Sequence, residues 1–214
     1  MPALDIRPRL RGVLHRYAAV GFAVLFVPLF IAADGGGDRL AVAVYGCAVV
    51  GMLGVSAVYH SGRLSPAAAR RFKRADHAMI LVGIAGSYTA VTGLALQGAT
   101  RIVLLVVVWT AAAIGIAIRM LWLDAPYPLT AAVYLVVGWL ALLDLPAYVD
   151  GLSGGQMALV VTGGLLYTVG GVVYALHRPR LVPTVFGYHE LFHALVVAAA
   201  LVHYLAVAGL VRSA

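Results

Sequence analysis

Seven stretches of about twenty apolar residues follow one another along the chain, and this constrains the fold more than any other feature of the sequence. They run approximately Leu14–Ala33, Leu40–His60, Ala75–Leu96, Ile102–Leu121, Leu129–Tyr148, Met157–Leu176 and Tyr188–Val211. At a rise of 1.5 Å per residue, about 20 such residues cross the hydrocarbon of a bilayer. No water reaches a bare peptide group there, so each stretch satisfies its own N–H and C=O groups only as a helix. The breaks are short and rich in Gly and Pro, as in Asp34-Gly35-Gly36-Gly37-Asp38 and Asp124-Ala125-Pro126-Tyr127-Pro128, which suits tight turns between helices. Charged residues make up only 11% of the chain, against about 25% in soluble domains. The expected fold is all-α and integral to a membrane: a seven-transmembrane helix bundle, one domain over residues 1–214.

The net charge of +7 has a pattern that argues for topology and not for nucleic acid. With seven spans, one set of loops holds Arg7, Arg9, Arg11 and Arg16, then Arg63, Arg70, Arg71, Lys73 and Arg74, then Arg119, Arg178 and Arg180. That is twelve of the 15 Lys and Arg, and only Arg39, Arg101 and Arg212 fall on the other side. Basic loops stay in the cytoplasm, so the N-terminus is expected inside and the C-terminus outside, with residues 1–13 a basic cytoplasmic leader. The expected location is the cell inner (plasma) membrane, multi-pass. Leu14–Ala33 is long enough to span and is read as a retained first helix instead of a cleaved signal. The single cysteine, Cys47, lies in an apolar run, is expected to be a small buried thiol, and leaves no intramolecular disulfide.

Against this background the ionisable residues stand out, because an idle one is costly at the edge of hydrocarbon. In Tyr188-His189-Glu190-Leu191-Phe192-His193 the two histidines lie four apart, one turn above each other on the same helix face. Both imidazoles can reach one metal ion, zinc being the usual choice for a nitrogen-rich site. A plainer reading is two core histidines that share a face. His60 ends the second span and Asp76 begins the third, so three helix ends bring polar groups to one membrane level. Ser56 lies one turn from His60 on the same face, although such a serine often bonds back to its own helix carbonyl. Asp76 also has a plain alternative, as a helix N-terminal carboxylate near Arg74. Adjacent helix positions point about 100° apart, which turns His77 away from Asp76 and Glu190 away from His189. His15 and His177 read as interfacial. His203 lies roughly 15 Å deeper than His193, too far for the same metal, with Asp144 as one candidate partner.

The pattern Ser56-Ala57-Val58-Tyr59-His60, then Asp76-His77, then His189-Glu190-Leu191-Phe192-His193 resembles the hemolysin III family, the bacterial branch of the progestin and adipoQ receptor superfamily, which is related to alkaline ceramidases. The resemblance covers essentially the whole chain. It implies a zinc ion held by three histidines, matching His60, His189 and His193, with the motif's serine and aspartate matching Ser56 and Asp76. Leu14-His15-Arg16 also looks like a histidine motif of these proteins, but Ala stands where a family glycine is expected, and His15 receives no ligand role.

Three histidines leave a fourth tetrahedral position open, as in catalytic and not in closed structural zinc sites. Zinc can bring a water's pKa down to about 7 and polarise a carbonyl. The expectation is a zinc-dependent hydrolase of lipid amide or ester bonds, ceramidase-like, with Asp76 and Ser56 as catalytic residues. Its partner would be membrane lipid, a lipid amide or a fatty acid within the bundle. A non-enzymatic lipid-sensing or membrane-perturbing protein with a structural zinc is the alternative. An intramembrane zinc protease using the H-E-x-x-H pattern and Glu190 as base is less favoured.

Overall fold

In the computed structural model, residues 8–60, 62–179, 181–182 and 184–213 are described. Arg7 and Arg180, used above in the charge pattern, lie outside them. The described chain is helical almost throughout: α1 Val13–Ala32, α2 Gly35–Tyr59, α3 Pro66–Ala95, α4 Gly98–Leu121, α5 Tyr127–Gly138, α6 Leu145–Gly151, α7 Gly154–Leu176 and α8 Tyr188–Ser213. Taking residues Tyr127–Gly151 as one crossing, seven segments are long and apolar enough to span a membrane. The protein is a seven-helix membrane bundle.

The apolar windows locate hydrocarbon better than they locate helix ends. α3 starts nine residues before the expected Ala75, because Ser65 accepts from the Ala68 N–H and Pro66 occupies the first helical position. Asp76 therefore lies well inside a helix and does not begin one. The glycines 35 to 37, expected as a break, form the first turn of α2. α7 opens with a capping box in which Ser153 and Gln156 satisfy each other's backbone N–H groups.

Close approach between helices rests on small residues, since lipid gives no hydrophobic drive for them to pack. A Cβ on Gly86 of α3 would stand 2.4 Å from the Ala48 Cβ of α2, and one on Gly163 would overlap the His203 ring at 2.2 Å. Around α1, α2 and α8 the core is aromatic and branched, with Phe22, Phe26, Tyr45, Leu53 and Val207 buried together. Cys47 corrects an expectation: it is exposed, because Tyr45, Gly46, Ala48 and Val49 take the buried face of α2.

The fifth crossing is the main departure. Leu129–Tyr148 was expected to be one helix, but α5 stops at Gly138, a 3-10 turn covers Leu140–Asp144, and α6 resumes at Leu145-Pro146. A break at membrane depth frees backbone groups that hydrocarbon cannot satisfy. The Tyr88 hydroxyl meets two of them, donating to the Gly138 carbonyl at 2.8 Å and accepting from the Ala141 N–H at 2.7 Å. Asp144 accepts from the Ala147 N–H, so it caps α6 and does not pair with His203. Tyr88→Phe strands both backbone groups at once and is expected to cost about 1–3 kcal/mol of stability, read as a lower melting temperature of the purified protein in detergent.

Candidate metal centre

His60 is the residue that closes α2; His189 and His193 occupy the first two turns of α8. One ligand-capable nitrogen from each comes within 4.8 Å of the other two. The Nε2 atoms of His60 and His189 are 3.2 Å apart, and the three rings lie 4.6 to 4.9 Å from one another, centroid to centroid. With zinc–nitrogen bonds of 2.0–2.1 Å, tetrahedral ligand nitrogens sit about 3.3 Å apart, so the donor set and its spacing fit a zinc ion. His60 and His193 are buried and His189 is half-buried.

Asp76 stands beside the trio, its Oδ2 3.8 Å from the His60 Nε2. The buried Ser56 lies near Asp76, and both line the same cavity wall as the histidines. All five residues singled out from the sequence thus meet in one place.

Glu190 turns away from the histidines, as its position on the helix requires. It is 1% exposed, pairs with Arg11, and accepts from the Gly187 N–H at 2.8 Å, reaching back as a helix-start glutamate does. His77 faces α4 and α5, with its Nδ1 2.9 Å from the Tyr134 hydroxyl. His203 Nε2 donates to the Val160 carbonyl at 3.1 Å, which replaces the expected Asp144 partnership. His177 caps α7 and packs on Tyr127 and Tyr188. Arg119, counted from the sequence among the basic loop residues, is 2% exposed and donates to the carbonyls of Trp122 and Leu123 beyond the end of α4. At the exposed rim Lys73 donates to Asp124 at 2.7 Å, and this bond and charge hold the Asp124 carboxyl below its usual range.

His15 is the residue whose place was misjudged. It is not interfacial: it is 3% exposed and its ring stacks on His193, centroids 3.9 Å apart and planes 8° from parallel. The Leu14-His15-Arg16 motif carried the only sequence signal for it.

The centre lies at one end of a cavity of about 690 Å³. Its near wall holds His15, Ser56, His60, Asp76, His189 and His193; farther along it is lined by Ile84, Leu135, Leu142 and Met157, and it reaches His203. The broken crossing contributes Gly138, Trp139, Ala141 and Leu145 to that lining. A polar cluster at the end of an apolar chamber suits a ligand with a small polar group and a long apolar tail.

The sequence profile of the family described as "Haemolysin-III related" matches residues 5–204. Among curated relatives, a hemolysin-3 homolog of Bacillus subtilis is 38% identical over 99 residues, an alignment covering 46% of this chain and 46% of that protein. Hemolysin-3 of Bacillus cereus is 28% identical over 166 residues, covering 76% of this chain and 75% of the relative.

Because Glu190 serves the Arg11 clamp and the start of α8, Glu190→Gln is expected to lower stability by about 1–3 kcal/mol without the full loss of metal that removing a ligand brings. A thermal melt beside elemental analysis checks both halves; loss of metal with unchanged stability would reverse the assignment.

Proposed function

The chain belongs to the hemolysin III family, and from that premise we propose that it is a zinc-dependent hydrolase of lipid amide or ester bonds, with its site at the cytoplasmic side of the cell's inner membrane. The observation that carries the proposal is the meeting of His60, His189 and His193 at the polar end of a largely apolar cavity inside the bundle. These three histidines would hold the metal. When bound, zinc would supply Lewis acidity, which polarises a carbonyl and acidifies water at neutral pH.

The chain's own residues divide the remaining work. Asp76, 3.8 Å from the His60 Nε2, is placed to take a proton from the attacking water and return it to the leaving amine or alcohol. Ser56 orients that carboxyl and is near enough to donate to the developing oxyanion. The apolar wall of the cavity seats an acyl chain and keeps bulk water from the reacting carbonyl. Orientation follows the basic residues: Arg9, Arg11 and Arg16, and Arg70, Arg71 and Lys73 of α3, belong to the end that carries the histidines, which we place in the cytoplasm.

A structural zinc in a lipid-sensing protein is the second reading, favoured by one observation: a metal on His60 and His193 would tie the end of α2 to the start of α8. The protease alternative loses its base, since Glu190 is engaged by Arg11 and the Gly187 N–H.

Purified wild type is expected to hold one zinc per chain, lost in His60→Ala and His193→Ala. Asp76→Asn is expected to keep the zinc and lose about 10²-fold or more in turnover of a ceramide, acyl amide or phospholipid. Zinc-loaded protein inert on all three, with Asp76→Asn indistinguishable from wild type, selects the structural reading. A reporter fused to the C-terminus is expected to be active only on the outer side of the membrane.

A further inference from the structure

We propose that residues 8–16 form a built-in cap that positions the metal ligands, with His15 holding the ring of His193 by stacking. This rests on the metal reading above, and it assigns a task to a segment that the proposed chemistry does not use.

Three positions of the segment, 11, 12 and 15, touch two of the ligands and the sequence neighbour of the third. His15 lies flat against His193 at 3.9 Å. Gly12, at φ 75°, brings its backbone so close to His60 that a Cβ there would stand 2.8 Å from the His60 Cβ. Arg11 pairs with Glu190, the residue next to His189. The segment is itself pinned: the Arg9 and Leu10 N–H groups donate to the Thr184 and Val185 carbonyls at 3.1 and 3.3 Å, in the loop that leads into α8. Whatever shifts the segment therefore shifts the surroundings of every ligand.

Stacking, and not hydrogen bonding, is what His15 contributes. Among the described residues neither ring nitrogen has a side-chain hydrogen-bond partner, and the flat contact with His193 is the close contact the ring makes. It is also the one ring among the described residues that lies parallel to His193; His60, His189 and Phe192 meet it at 57° to 63°. Ligand rings elsewhere are oriented by a hydrogen bond to the far nitrogen, and here a flat neighbour fixes the plane.

The test uses the full chain in detergent, with zinc affinity measured by chelator competition and the ligand-field spectrum of cobalt-loaded protein as a geometric readout. His15→Ala is expected to weaken zinc about 10- to 100-fold and to change the cobalt spectrum. His15→Phe, which keeps the stack and removes both nitrogens, is expected to stay within threefold of wild type with an unchanged spectrum. If Phe fails as Ala does, the nitrogens matter and the stacking role is wrong; if Ala binds as wild type does, the cap has no hold on the site. Should His15→Ala not fold, His15→Phe decides alone, and Gly12→Ala, expected to weaken zinc by displacing His60, gives an independent check. Wild type that binds no metal overturns the metal reading, and this inference with it.

Discussion

Hydrocarbon gives a peptide group nothing to bond to, and most of this structure is the consequence. Seven segments become helices because no other open conformation satisfies its own backbone there. Where the chain departs from a helix at that depth, a side chain from elsewhere must take over. Tyr88 of α3 does this for the break between α5 and α6, which lends Gly138, Trp139, Ala141 and Leu142 to the cavity wall while Leu143 is exposed on the outside. His203 shows the same constraint from the side-chain end: its buried nitrogen takes the Val160 carbonyl, and Gly163 supplies the room.

The constraint also accounts for the position of the polar centre, where helices end and the cavity reaches the exposed Lys73–Asp124 rim. His60 closes α2, His189 and His193 open α8, and His15 lies in the first turn of α1. At these positions an unsatisfied polar group is less costly than at mid-membrane, and the loops that join the helices can be drawn over it. The segment before α1 runs along the loop before α8 through two backbone hydrogen bonds, beside the helix ends that carry the histidines. The cavity leads away from the centre between the helices, past Leu135 and Leu142.

What the sequence made legible is what depends on period and length. Windows of twenty apolar residues reveal spans, and the four-residue spacings Ser56–His60 and His189–His193 reveal shared faces. Both are properties of a single helix. What it concealed depends on partners far along the chain. Val136-Val137-Gly138-Trp139-Leu140-Ala141 is as apolar as any span, and its break is held by a tyrosine 50 residues earlier. His15 sits beside Arg16 in a basic leader and so reads as interfacial; α8, more than 170 residues on, buries it. Cys47 reads as buried from its apolar run, yet which face of α2 looks inward is set by α1 and α3.

The two carboxylates near the histidines show how neighbours, and not residue type, assign roles. Glu190 is adjacent in sequence to a proposed ligand and completes an H-E-x-x-H pattern, yet its oxygens are taken by Arg11 and the Gly187 N–H. A carboxylate held by a guanidinium and a backbone donor has its oxygens committed to those two contacts, and Glu190 is not part of the cavity wall. Asp76 comes from a different helix, and among the described residues its ion-pair neighbour is His60, with Ser56 close by and the cavity in front of it. Of the two carboxylates only Asp76 lines the cavity, and that is why the hydrolytic reading assigns the proton transfer to it and not to Glu190.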